Sequence, residues 1–265
     1  DIDKSEFDKN VFADIKLHGD AKELLSRLLP LLKFKEREDW LEYGRQKRAD
    51  EKQMITLPQL KSEGPLRMSQ VIEALNDKFK SKRIVVTDVG QNQMFSCRYF
   101  KFAKPLSLVT SGGLGTMGFG LPAAIGATVG APGRTVCMFT GDGGFQMNIQ
   151  ELGTIMEQQT PVKVILLNNN YLGNVRQWQD MFFGGRRSFT RMMNPQYELI
   201  CKGYNIPYGL AVTHEELKGE IEKMLSTDGP YVLECAVLEE DNVMPMVPPG
   251  KPINEMILGK EDFKE

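Results

Sequence analysis

Short apolar runs alternate with segments of helical spacing through most of the chain, and this alternation constrains the fold more than any other feature. The runs are rich in β-branched residues and show no regular polar alternation, which is typical of strands buried on both faces of a parallel sheet. We therefore predict an α/β fold in which helices flank a parallel sheet on both faces. The predicted strands are residues 84–87, 106–110, 135–140, 162–167 and 231–237.

Two helix-start signals support the same interpretation. Ser69 is a candidate N-cap for a helix over residues 70–79. Thr213 and Glu216 have the spacing of a capping box, so we interpret His214 between them as structural rather than as a ligand. The predicted helices are residues 20–32, 70–79, 120–127, 147–158 and 215–225.

Charge patterning predicts how the chain is divided. Residues 34–63 carry a dense mixture of both signs and predict a solvated helical linker. A larger domain is expected over residues 64–250, with a short part before the linker (residues 1–33) and a tail after the domain (residues 251–265). The chain begins with Asp1 rather than Met, so we expect it to be a piece of a longer protein.

Charge and cysteine content argue against several classes of function. The formal net charge of −2 predicts neither a nucleic-acid nor a membrane partner, and no apolar run is long enough to span a bilayer. The four cysteines form no CxxC pair, and Cys137 and Cys235 lie within apolar runs, where we expect them to be buried. We expect a reducing, cytoplasmic location and no zinc site.

The most informative polar feature is a pair of residues that follow two successive predicted strands. Asp142 lies between Gly141 and Gly143, and Asn169 follows the next strand. Ligands of such sheets bind beyond the carboxyl ends of the strands, and carboxylate and amide oxygens suit Mg²⁺, which completes its shell with phosphate and water. The glycines would let the backbone approach a phosphate, and a helix starting after Phe145 would direct N–H groups toward it. Either motif alone would be better interpreted as a simple turn.

Longer segments resemble a known family. Gly141-Asp142-Gly143 followed by Asn168-Asn169 is similar to the thiamin diphosphate enzyme fingerprint. Residues 65–250 resemble the acetolactate synthase large subunit, and residues 1–23 resemble the end of that family's middle domain, which holds FAD. The resemblance is carried by residues 89–94, 111–124, 160–164 and 175–179.

The resemblance implies a role for each matching residue. The side chains of Asp142 and Asn169 and the backbone carbonyl of Tyr171 would ligate Mg²⁺. The Gly115 carbonyl would accept a hydrogen bond from the 4′-amino group of thiamin diphosphate. Met117 would support the bent conformation of the cofactor, although Met117 taken alone would be interpreted as a core residue. The other expected cofactor contacts are Gln91, Asn92, Gly141, Gly143, Gly144, Leu172 and Gly173.

The resemblance also indicates residues for substrate selection, and three positions in the same region differ from the usual family pattern. Trp178 and Asn174 would influence which 2-keto acid is accepted, although Trp178 alone could be a packing residue; Arg176 and residues 186–187 are interpreted as surface charges. Asn92 stands where the family usually has His, Gly144 replaces a usual Ser, and Asn174 replaces a usual Met.

The resemblance also implies an activity and partners. The family uses thiamin diphosphate and Mg²⁺ to decarboxylate pyruvate and to join the two-carbon unit to pyruvate or 2-ketobutyrate, in the biosynthesis of branched-chain amino acids. A homodimer and a regulatory small subunit are expected, with FAD in the full-length enzyme. The activating glutamate belongs to a first domain that this chain lacks, so we predict no catalytic residue and no turnover here.

Three other functions stay open at this point. A nicotinamide-dependent dehydrogenase would explain Gly113, Gly115 and Gly118, which match GxGxxG, but the next strand does not end in the required acidic residue. Another thiamin diphosphate enzyme (a glyoxylate carboligase, pyruvate oxidase or 2-keto acid decarboxylase) would share the metal motif, although residues 175–179 favour the synthase. A non-catalytic cofactor-binding module is the third. No G-K-[ST] follows a glycine run, which disfavours a P-loop.

Overall fold

The computed structural model describes residues 1–76, 78–79 and 83–259. Contacts divide the chain into two compact units, Asp1–Asp50 and Glu51–Glu265. None of the helices within the described residues is long and apolar enough to cross a membrane. The predicted division at residues 33, 63 and 250 stays a prediction, and residues 260–265 of the predicted tail lie outside the described residues.

The first unit contains a short capped helix. Asp20 accepts a hydrogen bond from the backbone N–H of Glu23 and begins helix α1, Ala21–Leu28. The predicted helix over residues 20–32 ends earlier because Pro30 cannot donate an α-helical hydrogen bond, and the chain continues as the 3₁₀ turn Leu29–Leu31. Helix α2, Glu38–Glu51, has no buried residue.

One six-stranded, all-parallel sheet forms the centre of the second unit, which confirms the predicted α/β class. The strand order is β2-β1-β3-β4-β6-β5. The strands are β1 (Arg83–Thr87), β2 (Leu108–Thr110), β3 (Thr135–Gly141), β4 (Val162–Asn168), β5 (Tyr208–Ala211) and β6 (Tyr231–Ala236).

Alternate strand residues belong to two separate cores, one on each face of the sheet. Val85 and Ile165 share a core with helices α4 (Met68–Asn76), α5 (Gln91–Tyr99) and α11 (His214–Ser226). Val86 and Val164 share the other with α6 (Gly120–Gly130), α8 (Leu152–Gln158) and α10 (Tyr197–Gly203). Helices therefore cover both faces, as predicted. The remaining α-helices of the described residues are α3 (Leu57–Leu60), α7 (Asp142–Met147) and α9 (Gly173–Phe182).

Several smaller predictions are confirmed. Thr213 and Glu216 form both bonds of the capping box, so His214 opens helix α11 as a structural residue. Cys137 and Cys235 are buried, and all four cysteines are free thiols. Burial raises the pKa of both buried thiols well above the usual range, which keeps them unreactive.

Three further element boundaries were predicted wrongly. Ser69 is not an N-cap: α4 begins at Met68, the backbone N–H of Arg67 donates to Gln70 Oε1 at 2.9 Å, and the buried Ser69 hydroxyl has no partner among the described residues. Strand β2 starts at Leu108 because Leu106 has a φ of 52° and is exposed.

The predicted helix over residues 147–158 is the third error. Helix α7 begins at Asp142 and ends at Met147, a 3₁₀ turn follows over Ile149–Glu151, and α8 completes the segment. The helix ends before Asn148, whose φ of −131° is not helical and whose side chain donates to the carbonyl of Gly118 at 2.7 Å. A helix that starts at Asp142, rather than after Phe145, leaves the N–H groups of its first residues without intrahelical partners.

Candidate cofactor site at the carboxyl ends of the strands

The predicted site residues converge on one cleft beyond strands β1, β3 and β4. The cleft encloses about 90 Å³, compared with about 30 Å³ for one water molecule in the liquid, so it suits an ion with phosphate groups better than a whole organic cofactor. The predicted residues that line it are Gln91, Asn92, Met117, Gly141, Asp142, Gly143, Gly144, Asn169, Tyr171, Leu172, Gly173 and Asn174.

Strand register brings Asp142 and Asn169 to the same edge of the sheet. Strands β3 and β4 are neighbours, and Gly141 pairs with Leu167, so the residues that follow them emerge side by side. Both side chains are buried, with exposed fractions of 1% and 2%. The expectation that the two strands are adjacent is therefore correct.

The Asp142 carboxylate is buried beside polar groups of no net charge. Oδ2 accepts from Asn194 Nδ2 at 2.8 Å, and Oδ1 accepts from the backbone N–H of Gly143 at 3.2 Å. Burial raises the pKa of Asp142 to about 6, although these hydrogen bonds lower it. None of the groups that bond to the Asp142 carboxylate carries a positive charge, so the buried charge has no compensating partner within the described residues.

The Asn169 amide is held by Gln91. Asn169 Nδ2 donates to Gln91 Oε1 at 3.3 Å, and Asn169 Oδ1 accepts from the backbone N–H of Tyr171 at 3.3 Å. Gln91 is fixed in turn, because its Nε2 donates to Gln177 Oε1 at 2.9 Å and to the Asp241 carbonyl at 2.8 Å. The Gln91 side chain is thus committed to orienting Asn169 rather than free to reach a diphosphate.

Glycines form walls of the cleft that leave no space for a side chain. A Cβ atom on Gly143 would lie 2.7 Å from Leu172 Cδ2, and one on Gly173 would collide with the Gln91 amide. At Gly144 a Cβ atom would collide with the Asp88 carboxylate. A serine, usual in the resembled family at that position, therefore does not fit unless Asp88 moves.

Asp88 is held too firmly to move easily. Its carboxylate accepts three backbone N–H groups, from Val89 at 2.7 Å, Gly118 at 3.0 Å and Gly120 at 2.8 Å. These bonds join the end of β1 to the start of α6. The departure at Gly144 thus has a steric reason in this chain.

Two buried side-chain oxygens in the cleft have no hydrogen-bond partner among the described residues. Asn92 donates through Nδ2 to the Val89 carbonyl at 3.0 Å, which leaves its Oδ1 unpaired. The Oδ1 of Asn174 is also unpaired. A buried acceptor without a partner costs about 1–3 kcal/mol of stability. Both oxygens would therefore be stabilised by a cation that they coordinate, or by a ligand or water molecule that donates a hydrogen bond to them.

The donor set fits a hard cation. Within residues 1–76, 78–79 and 83–259, no group of three or more His, Cys, Asp or Glu side chains could hold a metal ion. A cation in this cleft would be held by Asp142 together with amide and backbone oxygens, a set that suits Mg²⁺ with added phosphate and water.

Two predicted site residues do not line the cleft. Gly115 has a φ of 64° and approaches Val89, a lining residue, but lies outside the cleft itself. Trp178 packs edge-on against Phe182, with ring centroids 5.3 Å apart, and lines a different cavity that includes Pro248.

The interpretation of Arg176 as a surface charge is wrong. Its side chain is 1% exposed and pairs with Asp180 at 2.8 Å. It also donates to the Asp241 carbonyl and to Asn242 Oδ1. Arg186 and Arg187 are exposed, as expected, although Arg187 also pairs with Asp180 and with Glu240.

Asn194 contacts the site but was not predicted from the sequence. Its side chain bonds to Asp142, and it also reaches Asn168 and Asn170 at the end of β4. The only local signal is the Asn194-Pro195 dipeptide, which marks a turn and says nothing about a site.

Comparison with known proteins identifies relatives over nearly all of the chain. A family model described as "Thiamine pyrophosphate enzyme, C-terminal TPP binding domain" matches residues 88–235. The chain is 40% identical to the acetolactate synthase isozyme 2 large subunit of Escherichia coli (strain K12), over 97% of the chain and 46% of that relative. It is 38% identical to a probable acetolactate synthase large subunit of Methanocaldococcus jannaschii and 37% identical to a chloroplastic acetolactate synthase 1 of Zea mays, over 97% of the chain in both cases.

These findings agree with the resemblance drawn from the motifs. The chain spans less than half the length of the curated relatives named here, 42–46%. The matched family model covers residues 88–235, which include strands β3 and β4 and the loops that follow β1, β3 and β4 into the cleft. The chain therefore belongs to the thiamine pyrophosphate enzymes and contains their C-terminal TPP-binding domain.

Proposed function

We propose that this chain supplies the diphosphate-binding half of an acetolactate synthase active site. The observation that carries the proposal is the buried Asp142 carboxylate, which lines the same glycine-walled cleft as the Asn169 side chain and has no cation to balance it within the described residues. In this proposal the side chains of Asp142 and Asn169 and the carbonyl of Tyr171 hold Mg²⁺, and Mg²⁺ holds the diphosphate.

The backbone around Tyr171 supports its part in this site. The N–H of Leu172 donates to the Thr190 carbonyl at 2.8 Å, and the N–H of Met192 donates to the Asn170 carbonyl at 2.9 Å. These bonds fix the peptide on both sides of Tyr171. A fixed carbonyl is what Mg²⁺ needs, because this ion demands near-ideal octahedral geometry.

Other residues of the cleft would bind and orient the cofactor. The N–H groups of Gly143 and Gly144, in the first turn of α7, would donate to the diphosphate. Gly141, Leu172 and Gly173 would close the wall around it and exclude water. Met117 and the Gly115 carbonyl would meet the ring system, and Asn92 would accept from a water ligand of the metal. When bound, thiamin diphosphate supplies the nucleophilic carbon and the electron sink for decarboxylation.

The activity of the whole protein is part of the proposal. We propose decarboxylation of pyruvate and condensation of the two-carbon unit with pyruvate or 2-ketobutyrate, with Trp178 and Asn174 near the second substrate. The proposed whole protein is a cytoplasmic homodimer that contains FAD and has a small subunit as its regulatory partner. The chain itself is expected to be inactive, since the activating glutamate would come from another domain.

Calorimetric titration of the chain with thiamin diphosphate tests the proposal. We expect binding with Mg²⁺ and its loss with EDTA, because the ion bridges protein and phosphate. Asp142→Ala should abolish binding, whereas Glu157→Ala, which replaces an exposed carboxylate of α8 outside the cleft, should not. Binding of NADH without any Mg²⁺ dependence would instead favour a nicotinamide site and contradict the proposal.

A further inference from the structure

The side chain of Asn194 joins the ends of two neighbouring strands behind the proposed metal site. Its Nδ2 lies 2.8 Å from Asp142 Oδ2, 2.9 Å from Asn168 Oδ1 and 3.0 Å from Asn170 Oδ1. Asp142 follows β3, whereas the two asparagines lie at the end of β4. One amide therefore sets the spacing of the two elements whose side chains would share the ion.

Hydrogen bonds to its oxygen fix which way the Asn194 amide points. Asn194 Oδ1 accepts from Gln146 Nε2 at 2.8 Å and from the Tyr197 hydroxyl at 3.2 Å. A flipped amide would turn its oxygen toward three acceptors and its NH₂ toward the Gln146 donor. The observed orientation is therefore the one in which an N–H faces Asp142.

The far side of this network is also anchored. Asn168 Nδ2 donates to Glu234 Oε1 at 2.7 Å, and Glu234 Oε2 accepts from the Tyr208 hydroxyl at 2.6 Å. Asn168 is thus held against strand β6 while its oxygen receives Asn194. Asn194 does not line the cleft, and its polar atoms are occupied, so it acts on Asp142 rather than on a ligand.

We propose that Asn194 is a positioning residue that presets the Asp142 carboxylate for Mg²⁺. The proposal rests on the proposed function, because it assumes that Asp142 binds the ion. With Oδ2 held by Asn194, the plane of the carboxylate is fixed before any ion arrives. Mg²⁺ needs near-ideal octahedral geometry, whereas the larger Ca²⁺ accepts variable geometry, so a loose Asp142 should harm Mg²⁺ binding more than Ca²⁺ binding.

The test measures ion affinity by calorimetry, with MgCl₂ or CaCl₂ as titrant and the same fixed excess of thiamin diphosphate in the cell and the syringe. A titration without protein corrects for the ions that free thiamin diphosphate binds. We expect Asn194→Ala to weaken Mg²⁺ binding by roughly 10–100-fold, the usual effect of removing a partner of a metal ligand, and to weaken Ca²⁺ binding much less. Tyr197→Phe removes one bond to the Asn194 oxygen and is expected to act in the same direction to a smaller extent. This variant tests the proposal even if Asn194→Ala folds poorly.

Asn76→Ala is the matched control. Asn76 is also a buried asparagine with a full set of bonds, to Glu73, the Tyr99 carbonyl and the Lys101 N–H, but it lies in α4 away from the cleft. It should reduce stability and leave the Mg²⁺/Ca²⁺ affinity ratio unchanged.

Two results would overturn the inference, and both differ from a failure of the proposed function. If the Asn194→Ala variant bound Mg²⁺ with the affinity of the wild type, Asp142 would need no positioning by Asn194. Equal weakening of Mg²⁺ and Ca²⁺ would show a general structural defect. If the wild-type chain bound neither Mg²⁺ nor Ca²⁺ in the presence of thiamin diphosphate, that result would contradict the proposed function rather than the role of Asn194.

Discussion

Asp142 is expected to destabilise the metal-free protein at neutral pH, and replacing it should reveal how much. In Asp142→Asn the side chain keeps an oxygen that can accept from Asn194, but it carries no charge. Burial raises the pKa of Asp142 from 3.8 to about 6. Because one pKa unit corresponds to about 1.4 kcal/mol, the ionised carboxylate lowers the free energy of unfolding by about 3 kcal/mol at pH 7.

The sign of the pH dependence follows from this elevated value. Between pH 3.8 and about 6 the folded state binds more protons at Asp142 than the unfolded state does. The contribution of this group to stability is therefore greatest below that window and is lost as pH rises through it. The stabilisation by Asp142→Asn should be about 2–3 kcal/mol at pH 7 and below about 1 kcal/mol at pH 4.

Urea unfolding in EDTA, followed by circular dichroism at both pH values, measures these differences. Asp180→Asn is the contrasting control, because Asp180 pairs with Arg176 and Arg187 and its loss should destabilise the protein at pH 7. If Asp142→Asn were less stable than the wild type at pH 7 without metal, or if its gain did not shrink toward pH 4, the reasoning about this buried charge would be refuted.

Three further substitutions test other parts of the structure. Gly144→Ser forces the anchored Asp88 to move and should lower the free energy of unfolding by about 1–3 kcal/mol; an unchanged urea midpoint would contradict the steric account. Arg176→Met leaves Asp180 with Arg187 as its ion-pair partner and removes the donor to Asn242 Oδ1, so a loss of about 1–3 kcal/mol is expected by the same assay, against little change for the exposed Arg186→Met. Asn174→Met removes an unpaired buried oxygen and should stabilise the metal-free protein by about 1 kcal/mol; a loss of stability would mean that this oxygen has a partner in solution.

Apolar runs in the sequence correctly predicted the strands that are buried on both faces of the sheet. Strands β1, β3, β4 and β6 are predominantly apolar, because helices cover both faces of the sheet, and this composition is visible in the sequence. Strand β5 was not predicted, since it is a short edge strand in which buried and exposed residues are mixed. Helix α5 was missed because its first turn consists of the polar residues that face the cleft.

Motif spacing predicted which residues gather in the cleft but not what holds them there. Gly141, Asp142 and Asn169 were identified because each follows a recognisable strand. Arg176 and Asn194 have partners many residues away, such as Asp241 and Asp142, and such contacts leave no periodic signal in the sequence. For the same reason Gln91 was expected to face a ligand, whereas the folded chain commits its amide to Asn169, Gln177 and Asp241.

A crystal structure of the chain with thiamin diphosphate and Mn²⁺ in place of Mg²⁺ tests the central claim most directly, because Mn²⁺ is located by its anomalous scattering. We expect one metal peak at about 2.0–2.2 Å from an oxygen of both Asp142 and Asn169, with diphosphate oxygens completing its shell. A peak bonded to only one of these side chains, or a diphosphate bound away from the ion, would contradict the account.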